Sequence, residues 1–276
     1  MFTLNCKGKL LSLEKPIVMG IINVNNDSFY VGNRKSQMTD ALSLAEKMLE
    51  DGATILDFGG QSTRPQSTLI SATQEAQRVI PVIENVIKKF PEALISIDTF
   101  YAQVAKQAVN AGASIVNDIS AGNLDEKMLK TVAELGVPYI AMHMKGKPQT
   151  MNALAKYENA TREVLDYFIQ KINQCNLAGI RDIIVDPGFG FAKMPAQSFE
   201  LMKNLTTFSM LQKPILVGVS RKSMIYKTLH STSEAALNGS TVLHTFALQN
   251  GANIIRTHDV KEAVETIVLL KQLEVF

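Results

Sequence analysis

Short runs of consecutive apolar residues recur along the chain, separated by stretches whose apolar positions fall three or four apart. The runs are PIVMGIIN from Pro16, GATILD from Gly52, ALISID after Pro91, GASIVND from Gly112, GVPYIAMH from Gly136, GIRDIIVD from Gly179, PILVGVSR from Pro214 and GANIIRTH from Gly251. Near-continuous apolar runs of this length suit strands buried on both faces of a parallel sheet. Between them, Leu42, Ala45, Met48 and Leu49 share one helical face, as do Met128, Leu129, Val132 and Leu135. Five of the runs open on a glycine, which fits the left-handed residue just past a helix end. The other three follow a proline, which cannot continue a preceding helix. Ser71 with Gln74 three residues later forms a capping box that starts the helix before Pro91.

Eight strand–helix units without a linker-like Pro/Gly/Ser tract predict an α/β protein. The architecture expected is a single TIM (β/α)8 barrel, one domain over residues 1–276. An open, doubly wound sheet is the architectural alternative. The first dozen residues precede the first long run and are expected to form a short hairpin at the barrel's base. At 46% apolar and 20% charged, the chain has ample material for one large core. A net charge of +2 without basic or acidic blocks argues against nucleic-acid binding. The N-terminal residues lack the apolar stretch of a signal peptide, and no run approaches a membrane span, so a cytoplasmic location is expected. Cys6 and Cys175 lack metal-ligand spacing and read as reduced thiols.

In such a barrel the reactive groups project from the carboxyl ends of the strands. Those positions read Asn23, Asp57, Asp98, Asn117, His143, Asp186, Ser220-Arg221-Lys222, Arg256 and His258. One aspartate at a strand end is commonly a helix cap or turn residue, but a whole ring of polar groups at one mouth is not explained that way. The charges are also segregated, with carboxylates and amides on strands two, three, four and six and cations on strands seven and eight. The last two loops are the usual phosphate site of this fold, and Arg256, His258 and a helix starting near Val260 suit an anion. Arg64, in the loop GGQSTRPQST, could close over it. On the acidic side, Asp186 could accept two parallel N–H bonds, Asn117 and Asp98 could meet further ring edges, and Lys222 could serve a ring carbonyl. A heterocycle with a guanidine-like edge and a phosphate or diphosphate arm satisfies both halves.

Competing signatures are weak. Asn23-Val24-Asn25 stands where a metallohydrolase barrel would carry a His-x-His pair, and two of the four histidines, His230 and His244, fall in helical segments. GFGF at Gly188 lacks the third glycine of a dinucleotide loop, and neither GQSTR nor GVSRK is a nucleophile elbow. Lys222 shows no obvious desolvated setting for Schiff-base chemistry.

The chain resembles the dihydropteroate synthase family nearly end to end. The motifs are MGIINVNNDSF at Met19, GGQSTRP at Gly59, SIDT at Ser96, NDIS at Asn117, MHMKGKPQTM at Met142, DPGFGF at Asp186, VGVSRKS at Val217 and RTHDV at Arg256. The resemblance implies a homodimeric TIM barrel that joins a dihydropterin diphosphate to p-aminobenzoate, releasing pyrophosphate. By that resemblance Asp98, Asn117, Asp186 and Lys222 hold the pterin, Asp57 supports the polar network, and Arg256 stacks on the ring and faces the diphosphate. Asn23, Arg64 and His258 bind the diphosphate, Asn23 through a magnesium ion (Mg2+). Thr63, Pro65, Phe191 and Ser223 border the p-aminobenzoate pocket, where sulfonamides compete in this family. The chemistry implied is dissociative, with pyrophosphate leaving before the amine attacks.

Two loops depart from the family pattern. Asp27, Ser28 and Phe29 are retained in the first, but Val31 stands where a second aspartate is expected to steady the cation, and Asp27 is the residue placed to substitute for it. Gln61 replaces a usual glutamate and Gln66 a common glycine in the second. Two rivals follow: a silent or weakly catalytic pterin-binding paralogue, and a barrel that passes a methyl group from a pterin to a corrinoid partner. The second gives no reason to keep SRKS and RTHDV.

Overall fold

The structure, a computed structural model, describes residues 2–24, 34–61 and 69–276, the side chains of 34–37 excepted. A hairpin of β1 (Thr3–Cys6) and β2 (Lys9–Ser12) comes first. Eight parallel strands follow: β3 (Ile17–Asn23), β4 (Ile55–Gly59), β5 (Leu94–Asp98), β6 (Ile115–Asp118), β7 (Tyr139–Met142), β8 (Ile183–Asp186), β9 (Leu216–Val217) and β10 (Ile254–Thr257). Helices α1 (Arg34–Glu50), α2 (Ala72–Lys89), α3 (Ala102–Asn110), α4 (Met128–Leu135), α5 (Ala160–Ala178), α6 (Pro195–Lys203), α7 (Ser223–Thr228), α8 (Leu237–Gln249) and α9 (Val260–Gln272) alternate with them.

Strands β3 to β8 neighbour one another in chain order, β10 pairs with β3, and β9 pairs with β10. Val185 bridges Ile215 in parallel and joins the β8 side to the β9 side. The sheet therefore closes as a barrel, which removes the open, doubly wound alternative. Strand β9 is shorter than the run PILVGVSR suggests, because the chain turns after it, with the Lys222 N–H bonding the Val219 carbonyl at 3.1 Å.

The stop signals act as the sequence implies. Gly52, Gly112, Gly136, Gly179 and Gly251, which open five strands, all have positive φ. At α2 the Gln74 N–H bonds Ser71 Oγ at 3.3 Å while the Ser71 N–H bonds Gln74 Oε1 at 3.0 Å, completing the capping box. His244 is buried within α8, but His230 lies just beyond α7, exposed and at φ 50°, not in a helix.

Alternation along the strands divides the core. Val18, Leu56, Ile95 and Val116 face the helices and belong to the larger cluster. Met19, Ile55, Ile115, Ile140, Ile184, Leu216 and Ile254 point into the barrel and pack with Leu4, Cys6 and Leu13 of the hairpin segment. The hairpin thus plugs the base. With a period of two, the next inward positions toward the mouth are Ile21, Asp57, Ser96, Asn117, Met142, Asp186, Gly218 and Arg256. One step up each strand, the interior changes from apolar to largely polar.

If the hairpin is a true plug, Leu4→Ala costs about 2–5 kcal/mol, whereas Leu10→Ala, at a side chain 75% exposed, stays within about 0.5 kcal/mol. Urea unfolding of both variants checks this; similar losses would mean the base is not sealed by packing.

Candidate functional site

The inner polar layer is organised around Arg256. Its Nε bonds Asp57 Oδ2 at 2.7 Å and its Nη2 bonds Asp98 Oδ2 at 2.6 Å, so β10 reaches across to β4 and β5. Asn117 Nδ2 donates to the same Asp57 oxygen at 3.0 Å. Asp57 is fully buried, and among the described residues its Oδ1 has no hydrogen-bond partner. An orphaned carboxylate oxygen in a dry cavity is costly, so the site is built to receive a donor. Asp98 is pushed up to about 7, chiefly by burial, with Asp57, Asp118 and Asp186 adding to it against the opposing pull of Arg256. Burial likewise raises Asp186, opposed most by Lys222 and next by the Gly188 N–H, 2.8 Å from its Oδ1. Three carboxylates face two cations here, so the opposing charges do not offset the burial that raises Asp98 and Asp186.

Lys222 donates to the Phe189 carbonyl at 2.7 Å and lies 4.8 Å from the centre of the Phe191 ring. Burial pushes it down to about 8, against the charges of Asp186 and Asp98. The setting is therefore more desolvated than its sequence neighbourhood suggests. Ser223 opens α7 directly after it and is partly buried.

On the anion side, Asn23 ends β3 beside Gly59, and His258 is exposed just past β10, its Nδ1 3.3 Å from Ser220 Oγ. Arg221, by contrast, is committed to structure. Its Nε and Nη2 bond Asp259 at 2.9 and 2.8 Å, and its Nη1 bonds the carbonyls of Ser233 and Glu234. Because the Asp259 carboxylate already stands at the start of α9, the anion groups left at the mouth among the described residues are Arg256 and His258. Asp27, Val31, Thr63, Arg64, Pro65 and Gln66 lie outside the described residues. Gln61 is buried and accepts the Ile70 N–H at 2.8 Å, which ties the second loop's ends together.

His143 does not join the mouth. It is buried with its ring edge-on to Tyr167, and Met142 and Met144 pack with Phe100 and Ala192 instead. The reason is the alternation of sides beyond β7, which turns residue 143 outward. Its burial, with Lys193 and Lys145 nearby, holds it well below the usual range. Two buried ionisable groups went unnoticed in the sequence. Glu75 of α2 accepts from Thr99 Oγ1 at 2.9 Å and is pushed up to about 8, mainly by burial and then by Asp98. Lys193 lies under the loop after β8; a charge directly after the apolar GFGFA was the available signal.

Comparison with known proteins adds the following. The family described as "Pterin binding enzyme" matches residues 19–258. The chain is 43% identical over 264 residues to the Escherichia coli K12 protein named dihydropteroate synthase, covering 95% of this chain and 93% of that one. It superposes on the Xanthomonas albilineans dihydropteroate synthase with 4-aminobenzoic acid at a TM-score of 0.93, with 36% identity, covering 99% of this chain and 98% of that one. Against the same enzyme in complex with 7,8-dihydropteroate the TM-score is 0.90, with 33% identity and full coverage of both chains.

The raised Asp98 has a signed consequence for the ligand-free protein. Between its unfolded value and about 7 the native state holds a proton that the unfolded chain releases, so this contribution to stability is lost as pH rises through that window. Asp98→Asn has no such term, while Glu75 is common to both proteins. The stability of the variant relative to wild type is therefore expected to rise from about pH 4 to 7 and then level off. Urea unfolding at stepped pH measures it; a constant difference would show that Asp98 titrates normally.

Proposed function

The chain belongs to the pterin-binding enzyme family as a dihydropteroate synthase, and we propose that the polar layer around Arg256 is the site at which it holds the pterin. It joins 6-hydroxymethyl-7,8-dihydropterin diphosphate to p-aminobenzoate, giving 7,8-dihydropteroate and pyrophosphate. The observation that carries the site assignment is the buried acid excess: the unpartnered Asp57 Oδ1, the raised Asp98 and Asp186. A pterin's amino group and ring N–H groups supply the donors that this layer lacks. Asp186 takes the guanidine-like edge, Asn117 and Asp98 take the remaining ring edges, and Lys222 donates to the ring carbonyl.

Arg256 has five N–H groups, and Asp57 and Asp98 do not use them all. It therefore serves the diphosphate as well, together with His258 and, from the second loop, Arg64. The C–O bond to the diphosphate breaks first, and these cations stabilise the charge on the departing pyrophosphate. The aniline nitrogen then forms the C–N bond and loses its proton, and no protein nucleophile takes part. Phe191, Ser223, Thr63 and Pro65 border the p-aminobenzoate side. Asp27 is the carboxylate of the first loop available to steady the cation in place of the aspartate that Val31 replaces.

A magnesium ion fits this arrangement as a guest of the substrate. Among the described residues there is no group of three His, Cys, Asp or Glu side chains that could cage a metal. Asn23 offers one hard oxygen at the mouth, and magnesium commonly takes one or two protein oxygens with phosphate and water completing its shell. When bound it supplies charge neutralisation on the diphosphate. No helix of the described residues is long and apolar enough to cross a membrane. Cys6 and Cys175, buried and unpaired, support a reducing, cytoplasmic setting. A homodimer is supported by Val242 and Phe246 of α8 with Val268 and Leu269 of α9 and Leu273 just past its end, an exposed apolar face on neighbouring helices.

Pyrophosphate release with dihydropterin diphosphate and magnesium is expected to depend on p-aminobenzoate and to match dihydropteroate formed. Asp98→Asn and Lys222→Ala each lower kcat/KM by about 100-fold or more, and Val31→Asp measures what the altered loop costs. Tight pterin binding without turnover in both wild type and Val31→Asp would favour the silent paralogue. For the dimer, Phe246→Asp with Leu269→Asp is expected to give a folded monomer by analytical ultracentrifugation; an unchanged mass would rule out this face.

A further inference from the structure

Lys193 is 5% exposed, and among the described residues no carboxylate lies within ion-pair range of it. Its Nζ is instead surrounded by the carbonyl oxygens of Gly188 at 3.0 Å, Phe191 at 3.0 Å and His143 at 3.2 Å, and by His143 Nδ1 at 2.8 Å. Three N–H donors thus meet acceptors from both ends of one tight loop and from the strand end beside it. The loop cannot settle elsewhere easily. Gly188 sits at φ 70°, and a Cβ there would run into the His143 carbonyl oxygen. His143 is itself locked by the Tyr167 ring, 4.7 Å away and edge-on. A buried lysine with no counter-ion among the described residues is costly, and burial holds both Lys193 and His143 well below their usual ranges, so the acceptors gathered around its Nζ point to a purpose beyond packing.

The opposite face of the same loop carries that purpose. Phe189 offers its carbonyl to Lys222 at 2.7 Å, and the Phe191 ring lies 4.8 Å from the Lys222 ammonium. The loop is held between two lysines, Lys222 on the substrate side and Lys193 beneath. Of the pterin layer, Asp57, Asp98, Asn117 and Arg256 bond one another and not this loop, whereas Asp186 accepts the Gly188 N–H and Lys222 bonds the Phe189 carbonyl, so the loop borders the pterin side through those two residues only. We propose that Lys193, seated on His143, is a positioning residue for the second substrate: it holds the Gly188–Phe191 turn, through the Phe191 carbonyl itself, so that Phe191 presents the p-aminobenzoate side of the site. This rests on the functional reading above, and it assigns a role to two residues that do not touch substrate.

The test is steady-state kinetics on the full chain with both substrates varied, for wild type, Lys193→Met and His143→Phe. Lys193→Met keeps the length of the side chain and removes all its donors, while His143→Phe keeps a ring against Tyr167 and removes both ring nitrogens, Nδ1 at Lys193 among them. The KM for p-aminobenzoate is expected to rise about 10-fold or more in Lys193→Met and about 3-fold in His143→Phe, in each variant by more than the KM for the pterin diphosphate. A merely structural role lowers kcat with the folded fraction and moves neither KM; that result, or an equal rise in both, overturns the proposal. Should Lys193→Met fail to fold, an unchanged p-aminobenzoate KM in His143→Phe overturns it alone. A wild-type protein that forms no dihydropteroate would instead overturn the functional reading, which separates the two failures.

Discussion

Arg256 reaches residues 199 and 158 positions earlier in the chain, and the rest of the site is arranged around that reach. Its guanidinium joins β10 to β4 and β5 across the barrel interior, where Asp57 is fully buried and Asp98 largely so. Two carboxylates share it, and Asn117 braces the more buried of them. Removing one partner from such a buried arrangement commonly costs about 3–5 kcal/mol, because a charge is left without compensation. Among the described residues the same arrangement leaves one Asp57 oxygen unpartnered, and burial holds Asp98 above the usual carboxylate range. Stability and readiness for a donor-rich ligand therefore come from one set of atoms.

That polar layer can exist only because the barrel beneath it is dry and full. Inward positions one pleat lower are Met19, Ile55, Ile115, Ile140, Ile184, Leu216 and Ile254, sealed from below by Leu4, Cys6 and Leu13. The change from aliphatic to charged interior takes place over a single strand period. A packed floor keeps the effective dielectric low, which strengthens the contacts of Arg256 and raises the buried acids by the same cause.

The wall of the site is less uniform. Arg221 and Asp259 neutralise each other at the start of α9, so neither the guanidinium nor the helix start stands as an uncompensated positive charge. After β8, a loop of glycines and phenylalanines contains too little side-chain polarity to hold itself. It is pinned by lysine ammonium groups on carbonyl oxygens from both sides. Two halves of one active site thus rely on different physics: ion pairing within the strand layer, and backbone capture in the loop.

Much of this was legible in the order of residues. The apolar runs, the glycines that end helices and the Ser71–Gln74 box depend on neighbours within a few positions, so they marked the strands and helices directly. Parallel strands in a barrel then place Asp57, Asp98, Asn117, Asp186, Lys222 and Arg256 at one mouth, because the fold sends all strand ends the same way. The hairpin at the base was likewise evident from what precedes the first long run. Which way His143 turns, that Arg221 is spent on Asp259, that Glu75 arrives from α2 and that Lys193 lies under the β8 loop were decided only by the tertiary structure. Local pattern sets backbone conformation, whereas a charge's partner and its loss of water are sums over everything nearby in space, most of it remote in the chain.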